Sequence, residues 1–179
     1  MAIIKHSDQR VGVFIDVENF YHSAKNLFGA RVNFKQILKD VLEDRKLVRA
    51  IAYVVRTETG EEKSFFEALT HLGIETKVKD LQIYGDFKKA DWDVGITVDA
   101  IKISSALDVV LILSGDGDFC PLVEYLKNHG KQVEIVAFGR SASSKLKESA
   151  DDFFDIGKSK KYVFQSKIQR QNQKLNKKN

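Results

Sequence analysis

The segment "VVLILSGDGDFCPL", residues 109–122, runs an unbroken apolar stretch into Ser114, Asp116 and Asp118, with only Gly117 between the two acids. Carboxylates at this spacing repel: at roughly 4 Å and an effective dielectric near 20, a like-charged pair costs about 4 kcal/mol. A third acid, Asp16, ends the apolar run of "RVGVFID", and Asp93 and Asp99 lie in "DWDVGITVDAI". No Lys or Arg occurs from Ile103 to Leu126, so no adjacent counter-ion is evident. If the acids converge, they must hold protons or a cation. Oxygen donors without a neighbouring His favour Mg²⁺ or Mn²⁺, one ion or two, over zinc. Carboxylate-held ions suit phosphodiester hydrolysis, one activating water and another stabilising the leaving oxygen. Spacing alone does not select that substrate.

Two neutral residues accompany the acids, each with two readings. Ser114 could position a ligand or the attacking water, or bond the turn at a strand end. Asn19 could orient the Asp16 carboxylate or a metal-bound water, or cap a helix.

The elements that must position these groups follow from periodicity. Residues 11–15 read as a buried strand stopping at Asp16, followed by a helix through Leu27 that Gly29 ends. Asn33 caps a second helix, with apolar residues at 34, 37, 38, 41 and 42. "VRAIAYVVR" is the second strand, "GEEKSFFEALTHLG" a helix and "IETKVK" a polar third strand. "DLQIYGDFKKA" reads as loop, and a helix spans residues 91–107. On that helix Trp92, Ile96, Ile103 and Ala106 form an apolar stripe with Asp99 near its centre and Asp93 beside it, at about 100° per residue. An acid in an apolar stripe must be paired or metal-bound. "DVVLILS", a proline-initiated helix, "QVEIVAF", a short helix and "FFDI" complete the pattern. Strands alternating with helices predict an α/β three-layer sandwich with a mostly parallel sheet of five or six strands. Sites in such sheets form beyond the carboxyl ends of the strands. Asp16, Asp116 and Asp118 lie there, and converge if the first and fourth strands are neighbours. The glycines of "SGDGDF" would then let the turn bring both its carboxylates to one ion.

A chain of 179 residues with 43% apolar content fits one globular domain. It carries neither an apolar run of membrane-spanning length nor a signal-peptide pattern, which predicts a cytoplasmic protein without a membrane partner. Cys120 is the only cysteine, and no Cys/His group has zinc spacing; Cys120 reads as a small apolar core residue. His6, His22, His71 and His129 read as surface residues. The net charge of +4 divides into +8 for residues 158–179 and −4 for residues 1–157. We therefore place the domain at 1–157 and a basic, flexible tail at 158–179. A solubilising terminus and a phosphate-neutralising arm are equally compatible with that tail. Arg56, Lys88, Lys89, Arg140, Lys160 and Lys161 are the candidate phosphate-binding residues, although a solvated face would look the same.

Taken together, "FIDVEN", "DVGITVDAI" and "LILSGDGDFCPLV" resemble the NYN domain of the PIN-like nuclease superfamily, close to its LabA-like branch, over about residues 11–154. The resemblance implies Mg²⁺- or Mn²⁺-dependent ribonuclease chemistry on RNA, with Asp16 as the first-strand metal acid, Asp93 and Asp99 as helix acids and Asp116 and Asp118 as the fourth-strand pair. Many members have Gly after the first acid where this chain has Val17 and Glu18, and Asp91 is an acid the pattern does not require.

Two other readings stand beside the ribonuclease. One is a metal-binding regulatory or RNA-binding module without turnover; the complete acid set argues against it. The other is a nucleotide switch cradling phosphate on Gly115 and Gly117, disfavoured because those glycines lie between acids. A homodimer framing a groove is compatible with the sequence.

Overall fold

Val- and Ile-rich runs of the sequence become the strands of one twisted sheet, and the segments with helical period cover its two faces. A computed structural model describes residues 3–56, 63–84, 87–89 and 91–164. In chain order, β1 (Arg10–Asp16), α1 (Val17–Phe28), β2 (Arg31–Val32), α2 (Phe34–Leu42), β3 (Lys46–Arg56) and α3 (Lys63–His71) precede β4 (Glu75–Asp80), β5 (Gln82–Tyr84) and β6 (Phe87–Lys89). Then come α4 (Asp93–Ser104), β7 (Val109–Leu113), α5 (Cys120–Asn128), β8 (Gln132–Ala137), α6 (Ser144–Ser149), β9 (Asp152–Asp155) and β10 (Val163–Phe164).

The main sheet has the order β4-β3-β1-β7-β8-β9, and all its pairings are parallel. From β1 the chain steps outward to β3 and β4, then crosses back to β7 and continues to β8 and β9. The order therefore reverses between β1 and β7, opening a crevice beyond their carboxyl ends. Register pairs Ile15 with Leu113, so Asp16 and Ser114 leave adjacent strands side by side. Alternation along β1 sends Val13 and Ile15 into the layer with α1, α2 and α3, and Phe14 into the layer with α4, α5 and α6. This is the three-layer sandwich expected from the sequence.

Local signals set the helix ends. The Asp16 side chain accepts from the Asn19 N–H at the start of α1, and Gly29, at φ 57°, closes it in a conformation that suits glycine. Asn33 caps α2 through the Gln36 N–H.

Three expectations need correction. "DLQIYGDFKKA" is not all loop, because β5 and β6 pair as an antiparallel hairpin. The helix expected over 91–107 is shorter, α4 running from Asp93 to Ser104. The packed body also extends past 157. Antiparallel pairing of β10 with β2 accompanies burial of Tyr162 and Val163, and the Tyr162 hydroxyl donates to Asp40 Oδ2 at 2.8 Å. Residues 158–164 are thus docked on α2 and β2, while 165–179 lie outside the described residues. Among the described residues no helix is long and apolar enough to cross a membrane.

Candidate metal centre

The loop after β7 and the start of α4 meet at the crevice. There Asp93, Asp116 and Asp118 each present a carboxylate oxygen within 4.8 Å of the others. Asp116 caps the 3₁₀ turn Gly117–Phe119, its Oδ1 accepting from the Asp118 N–H at 3.0 Å. Asp93 occupies the first turn of α4. Asp93 and Asp116 are half-buried, and Asp118 is exposed.

Asp16 lies beside this group, held by both neutral residues singled out in the sequence. Its Oδ1 accepts from the Asn19 N–H at 3.2 Å, and its Oδ2 accepts from the Ser114 hydroxyl at 2.9 Å. Ser114 is fully buried, and its oxygen also accepts from the Asp116 N–H at 3.2 Å. The Asn19 side-chain oxygen accepts from the Gly115 N–H at 3.0 Å. Two short bridges thus lock the end of β1 and the start of α1 to the β7 loop.

The glycines of that loop serve a purpose other than the one expected. Neither Gly115 nor Gly117 has a positive φ. A Cβ at 115 would stand 3.0 Å from Ala142 Cα, and one at 117 would stand 2.9 Å from Ser143 Oγ. They let the loop at 139–143 lie against the β7 loop, where the Ser143 N–H donates to the Gly115 carbonyl at 2.9 Å.

Burial, and after it the neighbouring carboxylates, set the proton affinities of these acids. Desolvation, followed by the charges of Asp16, Asp116, Asp91 and Asp118, raises Asp93 to about 6. Burial also raises Asp16, against the hydrogen bonds from Asn19 and Ser114 and with the charge of Asp116. Glu18 is raised by burial and by Asp16, Asp91 and Asp93, and eased by His22. Glu18 and Asp91 therefore share the acidic field of the crevice. Both stand in the quoted segments, but the sequence assigns neither to the metal set, because the resemblance gives a role only to the other five; the signal available was Glu18's place in the first turn after Asp16.

Asp99 stands outside the group of three. Tyr53 Oη donates to its Oδ2 at 2.8 Å, and Lys77 Nζ, on β4, reaches the same oxygen at 2.6 Å. Burial alone would raise this carboxyl, but Lys77 and Tyr53 outweigh it and hold it below its usual value. The acid in the apolar stripe is paired, with a counter-ion from a strand distant in sequence.

An aromatic clamp fixes the start of α4. Trp92 Nε1 donates to the Val54 carbonyl at 3.0 Å, its ring meets Tyr53 edge-on at 5.3 Å, and Lys79 Nζ lies 4.5 Å from its centroid. Lys79 Nζ also donates to the Asp91 carbonyl at 2.7 Å.

The candidate phosphate-binding residues are dispersed. Arg56 pairs with Asp80 at 2.8 Å, and Lys161 pairs with Asp40 at 2.7 Å. Arg140, in the loop after β8, and Lys160 are exposed. Lys88 and Lys89 are placed by their backbone on β6, and their side chains lie outside the described residues. All four histidines are exposed, and Cys120 is buried.

Comparison with known proteins gives a consistent family. Residues 10–157 match the NYN domain. The low amplitude and bright protein LabA of Synechococcus elongatus is 25% identical over 164 residues, covering 86% of this chain and 87% of LabA. The crystal structure of VPA0982, a Vibrio parahaemolyticus protein of unknown function, superposes with a TM-score of 0.81 at 29% identity, covering 90% of this chain and all of that one.

Proposed function

The chain belongs to the NYN domain family, and from that premise we propose that it is a metal-dependent ribonuclease hydrolysing phosphodiester bonds of single-stranded RNA. The observation that carries this reading is the approach of Asp93, Asp116 and Asp118 at the switch point of a parallel sheet. The donor set is oxygen only, without His or Cys, and fits a hard divalent cation, Mg²⁺ or Mn²⁺. Such an ion, when bound, would activate water and stabilise the leaving oxygen.

The chain's own residues supply the rest. Asp93, Asp116 and Asp118 would hold the cation. Asp16 adds a fourth negative charge beside them, and its hydrogen bonds from Asn19 and Ser114 fix its direction. Ser114 and Asn19 act through Asp16 and the β7 loop, so both are positioning residues in this reading. Asp93, with a carboxyl near 6, is the group that must give up a proton before the full negative charge of the site develops. Glu18 and Asp91 extend the negative field, which disfavours a phosphate backbone until a cation is bound.

Asp99 favours a second reading. Its commitment to Lys77 and Tyr53 leaves the crevice one acid short of the set the sequence suggested, as in a metal-binding regulatory or RNA-binding module without turnover. Cleavage of a mixed single-stranded RNA in Mn²⁺ separates the two. The ribonuclease reading expects cleavage by the parent protein and a loss of more than about 100-fold in Asp116→Asn, with the fold retained. Mn²⁺ binding by the parent without cleavage would select the module. Equal cleavage by parent and variant would remove Asp116 from the site.

A further inference from the structure

Helix α1 begins at the acid cluster and buries Val17, Phe20, Ser23 and Ala24. Its opposite face carries Glu18, Tyr21, His22 and Lys25, at helical spacings that align Tyr21 with Lys25 and Glu18 with His22. Tyr21 is 53% exposed, a large ring spent on solvent where the rest of the helix is economical with apolar surface. Lys25 Nζ lies 5.6 Å from its centroid, and the His22 ring stands edge-on to it at 5.5 Å. Helix α1 is tied to the site at two places, one on its outer face and one on its buried side. His22 acts electrostatically on both Asp16 and Glu18. The loop at 139–143, which carries Arg140, bonds α1 through Ser141 Oγ to Ser23 Oγ at 3.0 Å and the β7 loop through the Ser143 N–H to the Gly115 carbonyl.

Resting on the ribonuclease reading, we propose that the outer face of α1 is a platform for single-stranded RNA, on which one base stacks against Tyr21 while Lys25 and His22 face the flanking phosphates and lead the strand to the acid cluster. An exposed ring beside a cation such as Lys25 is how proteins hold single strands without reading sequence, since every base offers a π-face. The acids, Glu18 among them, repel a phosphate backbone, so attraction must come from farther along α1, where Tyr21 and Lys25 stand more than one turn beyond Asp16. Among the described residues the other strongly exposed tyrosine is Tyr125 on α5, which stacks on His129 at 4.0 Å and makes a control of the same residue type.

The test is fluorescence anisotropy of a short labelled oligouridine in Ca²⁺ buffer, with KM and kcat for cleavage measured in Mn²⁺. Tyr21→Ala is expected to weaken binding by about 5-fold or more and to raise KM with little change in kcat. Tyr21→Phe and Tyr21→Trp keep parental affinity because they keep a ring, and Tyr125→Ala matches the parent. Equal Mn²⁺ affinity in parent and Tyr21→Ala shows that the site is intact. Parental binding by Tyr21→Ala, or an equal loss in Tyr125→Ala, overturns the platform and leaves the ribonuclease reading standing. A parent that neither binds nor cuts RNA removes both.

Discussion

Asp93 is the residue on which the electrostatics of the crevice converge. Its carboxyl, raised to about 6, keeps in the folded protein a proton that the unfolded chain has already lost. Between about pH 4 and pH 6 the native state therefore binds more protons than the unfolded state, and stability falls as pH rises through that window. The raised values of Asp16 and Glu18 act in the same direction. Asp93→Asn removes this loss. In EDTA at pH 7 it should melt above the parent, by about 1 kcal/mol once the carboxyl's partial exposure is discounted for screening, which is about 2–4 °C for a chain of this size. At pH 4 the advantage should vanish. Saturating Mn²⁺ should reverse the order, because only the parent gains fully from ligand binding. Melts that coincide at pH 7 in EDTA would count against a repulsive site. Asp99→Asn should behave differently, leaving Mn²⁺ affinity as it was while lowering the melting temperature by removing the charge that pairs with Lys77, although the amide oxygen can still accept from Tyr53; for a part-exposed pair the cost is about 1 kcal/mol. A parallel loss of Mn²⁺ affinity would return Asp99 to the ligand set.

At the scale of elements, the site depends on how α4 is seated. Gly95 faces Trp92 one turn away, and a Cβ there would stand 2.6 Å from the indole Cε3. Gly95→Ala must push the ring off its place between Tyr53 and Lys79, and overpacking of this kind costs about 1–3 kcal/mol. Because Trp92 is the chain's only tryptophan, its emission reports the displacement directly. We expect a shifted spectrum together with weaker Mn²⁺ binding, since Asp93 is the next residue. A shifted spectrum with unchanged Mn²⁺ affinity would show that the clamp does not position Asp93. Legibility in the sequence follows the same division. The long strands and capped helices were legible because each repeats its signal over many residues, and the meeting of Asp16 with the β7 loop followed from their both ending strands. The hairpin β5–β6 was not legible, since three-residue strands offer too few alternations to register. Nor was the Lys77–Asp99 pair, which joins β4 to α4 across the sheet layer without any local pattern. The close approach of the 139–143 loop to Gly115 was hidden for the same reason: glycine in a turn reads as conformational freedom when its use is space.

The molecule as a whole separates its charges along the chain. Five cations and no acid follow Phe164, leaving a net −1 for residues 1–164. Lys161 and Lys158, by contrast, belong to a segment packed on the body, with Tyr162 4% exposed, its carbonyl accepting from the Asn33 N–H at 2.8 Å and Lys161 paired with Asp40. Two truncations should therefore part company, although they differ by only a few residues. Ending the chain at Phe164 removes those charges and keeps every described residue of the packed core. It should leave the melting temperature unchanged while weakening RNA binding and flattening the dependence of log K on log salt, by about 0.7 for each single-strand phosphate that the terminal cations neutralise in the full chain. Ending it at Gly157 also removes the buried Tyr162 and Val163, and with them the contacts of Tyr162 and Lys161 with Asp40 on α2 and the β10 partner of β2. Losing a buried aromatic alone costs about 3–5 kcal/mol, so this shorter protein should melt well below the other. Matched melting curves for the two would mean that residues 158–164 add nothing to the body. An unchanged salt slope in the Phe164 truncation would assign the terminal lysines to solubility and leave phosphate binding to the cations of the domain itself.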